Sequence, residues 1–433
     1  MATNDRNYFL SILNGCVVVN LFNCLVGKKH HTNDSIDATN MLLCVLQNIR
    51  DKNLFNNILH VFLSQWIFDL KTIPHKYNKY AKCLLLDGID YSGVMLIHSV
   101  YPNLMLNQIN EITFSNNFNE YLTAHRLPSN LRKLTFGRQY NQPLDQFVLP
   151  LGLTDLTFGF EYNMPLIMGS FPSTLINLEF GINFNQELPK DVLPPNLKSL
   201  SFGHMFNRPL IEGSLPGSLT SIHFGYGFNQ HIQKDSLPKS LTSIIFGKQF
   251  NPSDGLMWSI EPGALPQNLK YLTFGYYFNR DIKECALPSN LVELTFGHQF
   301  NKLLIPGVLP STLTVLTFGH KFNQPIVPGL LPPNLTSLTF GHNFDHPIIE
   351  DVFPLTLVDL SFGRYFNQPI EKNTLPLNLQ HLKFGNFFNR NLKHVLPPRL
   401  IDLTISESYS RIDDIGFIGN CKIIRTYMCN LNH

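Results

Sequence analysis

One pattern of residues, Leu-Pro-x-x-Leu-x-x-Leu-x-Phe-Gly-x-x-Phe-Asn-x-Pro-Ile, returns along most of this chain at a nearly fixed interval. Its proline stands at Pro128, Pro150, Pro172, Pro194, Pro216, Pro238, Pro266, Pro288, Pro310, Pro332, Pro354, Pro376 and Pro397. The interval is 22 residues except between Pro238 and Pro266, where it is 28, and between Pro376 and Pro397, where it is 21. A fixed period of this size predicts a solenoid, in which each unit buries its apolar face only against its neighbours. Within the unit the last two apolar residues of Leu-x-x-Leu-x-Phe lie two apart, which puts both on one face of a strand. One strand per unit, stacked in order, predicts a mainly β repeat solenoid with a parallel sheet along one side. At a strand spacing of about 4.8 Å the array should be about 60 Å long.

The rest of the unit follows from its residue types. Proline cannot donate into a sheet and is expected in the turn leading to the strand. The glycine after the strand Phe, Gly137 through Gly385, implies either a positive φ or a close backbone approach. A second aromatic follows three residues later, as Tyr140, Tyr162 and then Phe184 through Phe388. Two buried aromatics per unit account for 35 Phe in a chain with only 2 Trp. Each contributes about 2–3 kcal/mol on burial.

The residue after the second aromatic is Asn141, Asn163, Asn185, Asn207, Asn229, Asn251, Asn279, Asn301, Asn323, Asp345, Asn367 and Asn389. An amide beside a buried ring is expected to satisfy backbone groups of its own and the adjacent unit. A buried structural file of these amides is therefore predicted. Asp345 can accept but not donate, so its unit is predicted to be imperfect.

The copies LPSTLTVLTFGHKFNQPI and LPPNLTSLTFGHNFDHPI resemble the FNIP repeat, a unit of the leucine-rich-repeat group known from social amoebae and giant viruses. The resemblance covers about 290 residues. It implies a leucine-rich-repeat-like solenoid that binds a partner rather than one that runs a reaction. Some members of that family carry an F-box ahead of the repeats.

The first hundred residues lack the repeat. Residues 1–79 are expected to form a small helical domain, 80–126 a transition with a degenerate first rung, 127–405 the solenoid, and 406–433 a C-terminal cap. Met41, Leu42, Val45, Leu46 and Ile49 recur at helical spacing, and Leu54, Ile58, Leu59, Val61, Phe62, Trp66 and Leu70 continue it until Pro74. The stretch LLCVLQNIRDKNLFNNILHVFLSQW resembles the centre of an F-box, although the Leu-Pro that opens that motif is absent. On that resemblance Leu42, Leu46, Ile49, Leu54, Ile58 and Trp66 would contact a Skp-like adaptor of a ubiquitin ligase. Short apolar runs at Cys83–Leu86 and Val94–Ile97 read as strands or irregular first rungs. Beyond Leu403 the motif fades, and Ile412, Ile415, Phe417, Ile418, Ile423 and Ile424 are expected to close the end with an apolar cover.

Residues 7–26 carry no charge and precede Lys28-Lys29. Three asparagines within the run favour a buried helix over a membrane anchor, the alternative being a membrane-anchored display protein. Seven scattered cysteines form no CxxC pair, which points to a reducing compartment, the cytoplasm, and to that of a host if the chain is viral. The balance of 33 basic and 31 acidic residues predicts no nucleic-acid stripe.

No nucleophile elbow, zinc-protease helix, P-loop or dinucleotide fingerprint is present, so no catalytic, cofactor or metal residue is assigned. An enzyme with an unrecognised site is the remaining alternative. The outward strand positions are mostly Ser and Thr, which β-propensity explains. The position after the glycine is more varied. Arg138, His204, Tyr226, Tyr276, His298, His320, His342 and Arg364, with Tyr277 and Tyr365 beside them, form a candidate protein-binding edge. The histidine stack recruits no carboxylate or cysteine at its offset, which argues against a metal site. The six-residue insertion holds Met257 and Trp258, either an anchor for a partner or a cover for a neighbouring unit.

Overall fold

The computed structural model describes residues 109–251, 260–415 and 421–426, together with the backbone of two short strands at 67–69 and 83–86. The chain divides into two compact units, residues 1–85 with 97–109 and residues 86–96 with 110–433. In the first part of the chain β1 (Ile67–Asp69) pairs in parallel with β2 (Cys83–Leu86), Ile67 facing Cys83. The strand at Cys83 is as expected from its apolar run. The helical pattern through Leu70 is not, because Ile67 to Asp69 are extended and hydrogen-bonded to that run. Leu42, Leu46, Ile49, Leu54, Ile58, Trp66 and the uncharged stretch 7–26 lie outside the described residues. Among the described residues no helix is long and apolar enough to cross a membrane.

The repeats build one parallel sheet. It begins at β3 (Glu111–Phe114) and continues through twelve three-residue strands, β4 (Lys133–Thr135) to β15 (His381–Lys383), then β16 (Asp402–Ser406). Each strand pairs with the next in strict register, as Leu294 with Leu316 and Leu316 with Leu338. The strand is short because only Leu-x-Phe is needed inside: Leu316 and Phe318 are buried while Val315 and Thr317 face outward. The Leu-Pro-x-x-Leu segment forms the turn into each strand, its last Leu N–H donating to the Pro carbonyl, as Leu313 to Pro310 at 3.1 Å. The six-residue insertion does not interrupt the array. Strands β9 (Ser243–Ile245) and β10 (Tyr271–Thr273) pair directly, and Ile260 bridges Ile232 at its end.

Rings fill the space behind the sheet in two layers. Within a rung the two rings lie face to face with centroids 3.8–4.0 Å apart. Between rungs the rings of each layer lie side by side. The layer next to the strands repeats at 5.4–6.0 Å. The outer layer repeats at 5.8–6.2 Å. Identical rungs space their atoms more widely the farther those atoms lie from the centre of a bend. Spacing that widens from the strands outward means the array curves with its strand face on the inner side.

The glycine after the strand is required by close approach rather than by a positive φ. A Cβ built on Gly319 would lie 1.7 Å from the carbonyl oxygen of Gly297, and Gly341 meets Gly319 in the same way. A different position supplies the left-handed turn. It falls on Gly169, Gly213, Gly263, Gly307 and Gly329 in five rungs, but on His125, Phe147, Asp191, Asp235, Cys285, Asp351, Asn373 and His394 in the others.

The asparagine file runs unbroken but is not buried. Each Asn Oδ1 accepts the backbone N–H of the matching residue one rung on, for example Asn323 N–H to Asn301 at 2.8 Å and Asn301 N–H to Asn279 at 2.9 Å. Contrary to the expected burial, these residues are half-buried or exposed, because the side chain lies along the flank of the turn and not behind the sheet. The expected defect at Asp345 is also absent. The file asks only for an acceptor, and Asp345 Oδ1 takes the N–H of Asn367 at 2.9 Å. Substituting Asn301→Asp should therefore leave thermal stability within about 0.5 kcal/mol, whereas Asn301→Ala strands the Asn323 N–H and should cost about 1–2 kcal/mol. Equal losses from both substitutions in denaturant titrations would contradict this assignment.

A second ladder accompanies the first. The residue after the Asn donates back to the previous rung, as Gln324 Nε2 to Asn301 Oδ1 at 3.0 Å and Arg390 Nε to the Asn367 carbonyl at 2.7 Å. Ser, Thr and Asn ahead of the strand form a third, with Thr312 Oγ1 donating to the Leu291 carbonyl at 2.8 Å.

The C-terminal end differs from the expected apolar cover. A strand, β17 (Lys422–Thr426), continues the sheet in parallel from β16. Ile415 is buried, but Ile412 and Ile424 are half-buried and Ile423 is 38% exposed. Phe417 and Ile418 lie outside the described residues.

Candidate functional site: an edge of rings and cations

The glycine column sets the geometry of the edge beside it. Because successive glycines touch, the next residue of every rung leaves the sheet at the same place and its carbonyl binds the following rung. Lys321 N–H donates to the His298 carbonyl at 2.9 Å and Asn343 N–H to the His320 carbonyl at 2.9 Å. Side chains at that offset are thereby stacked along the array. None of them is needed by the core, so their identities vary from rung to rung.

The sequence-predicted edge residues are brought together. Tyr276 stacks on His298 at 4.3 Å, His298 lies 4.4 Å from His320, and His320 stacks on His342 at 3.8 Å. Tyr277 meets Tyr276 edge-on at 4.9 Å. Lys248 Nζ bridges Tyr226 and Tyr276 at 5.6 and 5.9 Å from their centroids. His204 lies 5.8 Å from Tyr226. At the far end the Arg364 guanidinium stands 5.7 Å from Tyr365 and 5.6 Å from Phe387, whose rings stack at 5.2 Å. Arg138 sits apart from this run, 4.8 Å over Phe160.

Phe160 and Phe387 belong to the edge but were not among its predicted members. Phe387 occupies the same offset as Tyr277 and Tyr365, so reading that column to the last rung would have found it. Phe160 shares the offset of Arg138, and its exposure follows from that. Met257 and Trp258 lie outside the described residues.

Burial, then neighbouring basic groups, favours the neutral form of two of these histidines. Desolvation, then the charges of His320, Lys321 and His342, hold His298 below the ordinary imidazole value. Desolvation, then His320 and Arg364, do the same to His342. Only cationic groups act on either ring, and crowded imidazoles cannot all carry charge at once. Among the described residues no group of three or more His, Cys, Asp or Glu side chains is placed to hold a metal ion.

The strand face itself offers one polar hollow of about 270 Å³, lined by Lys133, Asp155, Thr157, Asn177, Glu179, Ser199 and Ser201 among others. Some of its groups already have partners, Asn177 Nδ2 donating to Asp155 Oδ1 at 2.6 Å and Lys133 pairing with Glu111 at 2.7 Å.

Comparison with known proteins follows the same units. The model of the FNIP repeat matches residues 118–161, 162–205, 206–249, 259–299, 278–321, 322–365 and 366–408. Among solved structures, the chain is similar to CroV588, described as a circular leucine-rich-repeat protein, at 38% identity and a TM-score of 0.66. That match covers 75% of this chain and 51% of CroV588, so the chain spans about half the length of that relative. YopM from Yersinia enterocolitica matches at 22% identity over 69% of each chain, with a TM-score of 0.41. No curated protein matches the sequence significantly.

Proposed function

Because this chain belongs to the FNIP-repeat family, a leucine-rich-repeat-like group, we propose that it is a non-catalytic protein-interaction solenoid whose partner lies along the ring-and-cation edge. One observation carries this reading. The chain contains its own comparison of positions, rung against rung. Offsets that the fold demands, the Leu, Phe, Gly and Asn columns, hold one residue type nearly throughout. The offset after the glycine holds Arg, Phe, Ile, His, Tyr, Lys and Asn, yet its side chains remain partly or fully exposed and most of the rings and cations among them touch. Varied, exposed aromatics and cations on a rigid array suit recognition of a protein surface.

The N-terminal segment is proposed to recruit a Skp-like adaptor, with Leu46, Ile49 and Trp66 at the contact, making the whole chain a substrate-recruiting subunit of a ubiquitin ligase in the cytoplasm. The warrant is its sequence resemblance to an F-box and the occurrence of F-boxes ahead of such repeats.

Both halves are tested by affinity capture from cells with the full chain. A variant carrying Tyr277→Ala, Tyr365→Ala and Phe387→Ala should lose the substrate-side partners while keeping the adaptor. A variant at Ile49 and Trp66 should do the reverse. Unchanged capture by the edge variant would remove the edge from the reading, and absence of a Skp-like protein from every capture would remove the adaptor.

A further inference from the structure

We propose that the edge from Ile182 to Phe387 binds an extended acidic segment of a partner protein, and that the Tyr276–His298–His320–His342 stack tightens this binding on acidification. The proposal rests on the reading of this edge as the partner surface and names the chemistry of what it holds.

Charge complementarity is the first argument. Over ten rungs the two residues after each glycine include Lys248, Lys321 and Arg364 and four histidines, but no aspartate or glutamate. The chain as a whole is nearly balanced in charge, so this run is a local segregation of one sign. Among the described residues no carboxylate forms a salt bridge with Lys248, Lys321 or Arg364.

Ring geometry is the second. Tyr276 stacks on His298 at 4.3 Å and His320 on His342 at 3.8 Å, with His298 tilted by 41° against His320 at 4.4 Å, so the ring faces lie mostly within the run and the edges are left for a ligand. Ring edges carry the positive end of the quadrupole and the imidazole N–H and phenol O–H donors. Edges of this kind favour an acceptor-rich chain of carboxylates. A stacking base would need the faces, and these are taken. Ten rungs at about 4.8 Å accommodate about 14 residues of extended chain.

Protonation follows from the same crowding. In the free protein the groups facing the stack are cationic or neutral: Lys321 and Arg364 beside it, Tyr276 at its end and the histidines themselves. A carboxylate laid across these rings supplies the missing counter-charge, so binding draws protons onto the imidazoles. By linkage, affinity must then rise as pH falls through the imidazole range.

The test is a titration of full-length protein with a fluorescent ten-residue oligo-aspartate at pH 7.5 and pH 5.0, where the peptide stays largely ionised. Affinity should be about tenfold higher at pH 5.0 and should weaken with salt. The triple variant His298→Gln, His320→Gln, His342→Gln should lose the pH dependence, its affinity at pH 5.0 falling to that at pH 7.5. Lys248→Glu, at an exposed position, should weaken binding at both pH values and serves as the control if the triple variant folds poorly. The proposal is overturned by no binding at either pH, by the same pH dependence in the triple variant, or by tighter binding of an oligouridylate of equal length. Should the peptide fail while the Tyr277, Tyr365 and Phe387 variant still loses its captured partners, the acidic segment is wrong and the partner surface stands. Retention of every partner by that variant removes both.

Discussion

Gly319→Ala should be among the most damaging single substitutions this protein can carry, with an expected loss of about 4 kcal/mol or more. The added methyl would sit 1.7 Å from the Gly297 oxygen and 2.6 Å from its carbon, where an ordinary contact needs well over 3 Å. Neither atom belongs to a side chain that could turn away. Moving the rungs apart would break the hydrogen bonds that flank the contact, Phe296 N–H to the Thr317 carbonyl and Lys321 N–H to the His298 carbonyl, each 2.9 Å. Gly217→Ala is the control. Nothing lies within 4 Å of its Cβ position, and its backbone is not in the left-handed region. There the methyl only restricts the unfolded chain, so stability should hold or rise by about 0.5 kcal/mol. Thermal melts of the two variants decide the matter. Similar melting temperatures would mean that the glycine column is not in contact.

How much of this was legible in the sequence depends on whether a position tolerates more than one residue type. The strand, the two ring layers and the glycine column could be read off because Leu or Ile, Phe or Tyr, and Gly fill them in nearly every rung. The asparagine file bonds rung to rung, but it is not buried as the letters suggested. The neighbouring Phe is buried, and nothing in the letters says that a turn carries the next side chain to the flank. Asp345 then showed that the file needs an acceptor alone. The donor ladder beside it was invisible because Gln324, Arg390 and His346 meet the same need with three chemistries. The left-handed turn was hidden for a similar reason, since Gly329 and Phe147 both occupy it. Phe147 holds φ at 65°, a conformation that costs a non-glycine residue about 1–2 kcal/mol and leaves no periodic letter. Strand β17 has no copy of the motif and was read as an apolar cover. The edge was legible as a column, but not the fact that its rings touch. That depends on the rung spacing and on the tilt of each side chain.

Phe300→Ala should be nearly as costly as the glycine change, but its damage should have a different reach. Phe300 is fully buried, lies face to face with Phe296 at 3.9 Å, and flanks Phe278 and Phe322 at 6.0 and 6.1 Å. Truncation removes the ring's transfer energy and leaves a cavity walled by three other rings, a loss of about 3–5 kcal/mol. The surrounding rungs are held in register by their own backbone and amide ladders, so they cannot collapse to fill it. In a solenoid each rung contacts only its neighbours, and an injury decays with distance along the array. Amide exchange should therefore accelerate most in the rungs of Phe278, Phe300 and Phe322, and least near Tyr162. It should also loosen the edge above, because Tyr276, His298 and His320 leave the sheet from those same rungs. A loss below about 1 kcal/mol would mean the ring layer can rearrange. Uniform acceleration from Phe114 to Phe388 would mean the rungs unfold as one cooperative block, and the rung-by-rung account of both core and edge would have to be abandoned.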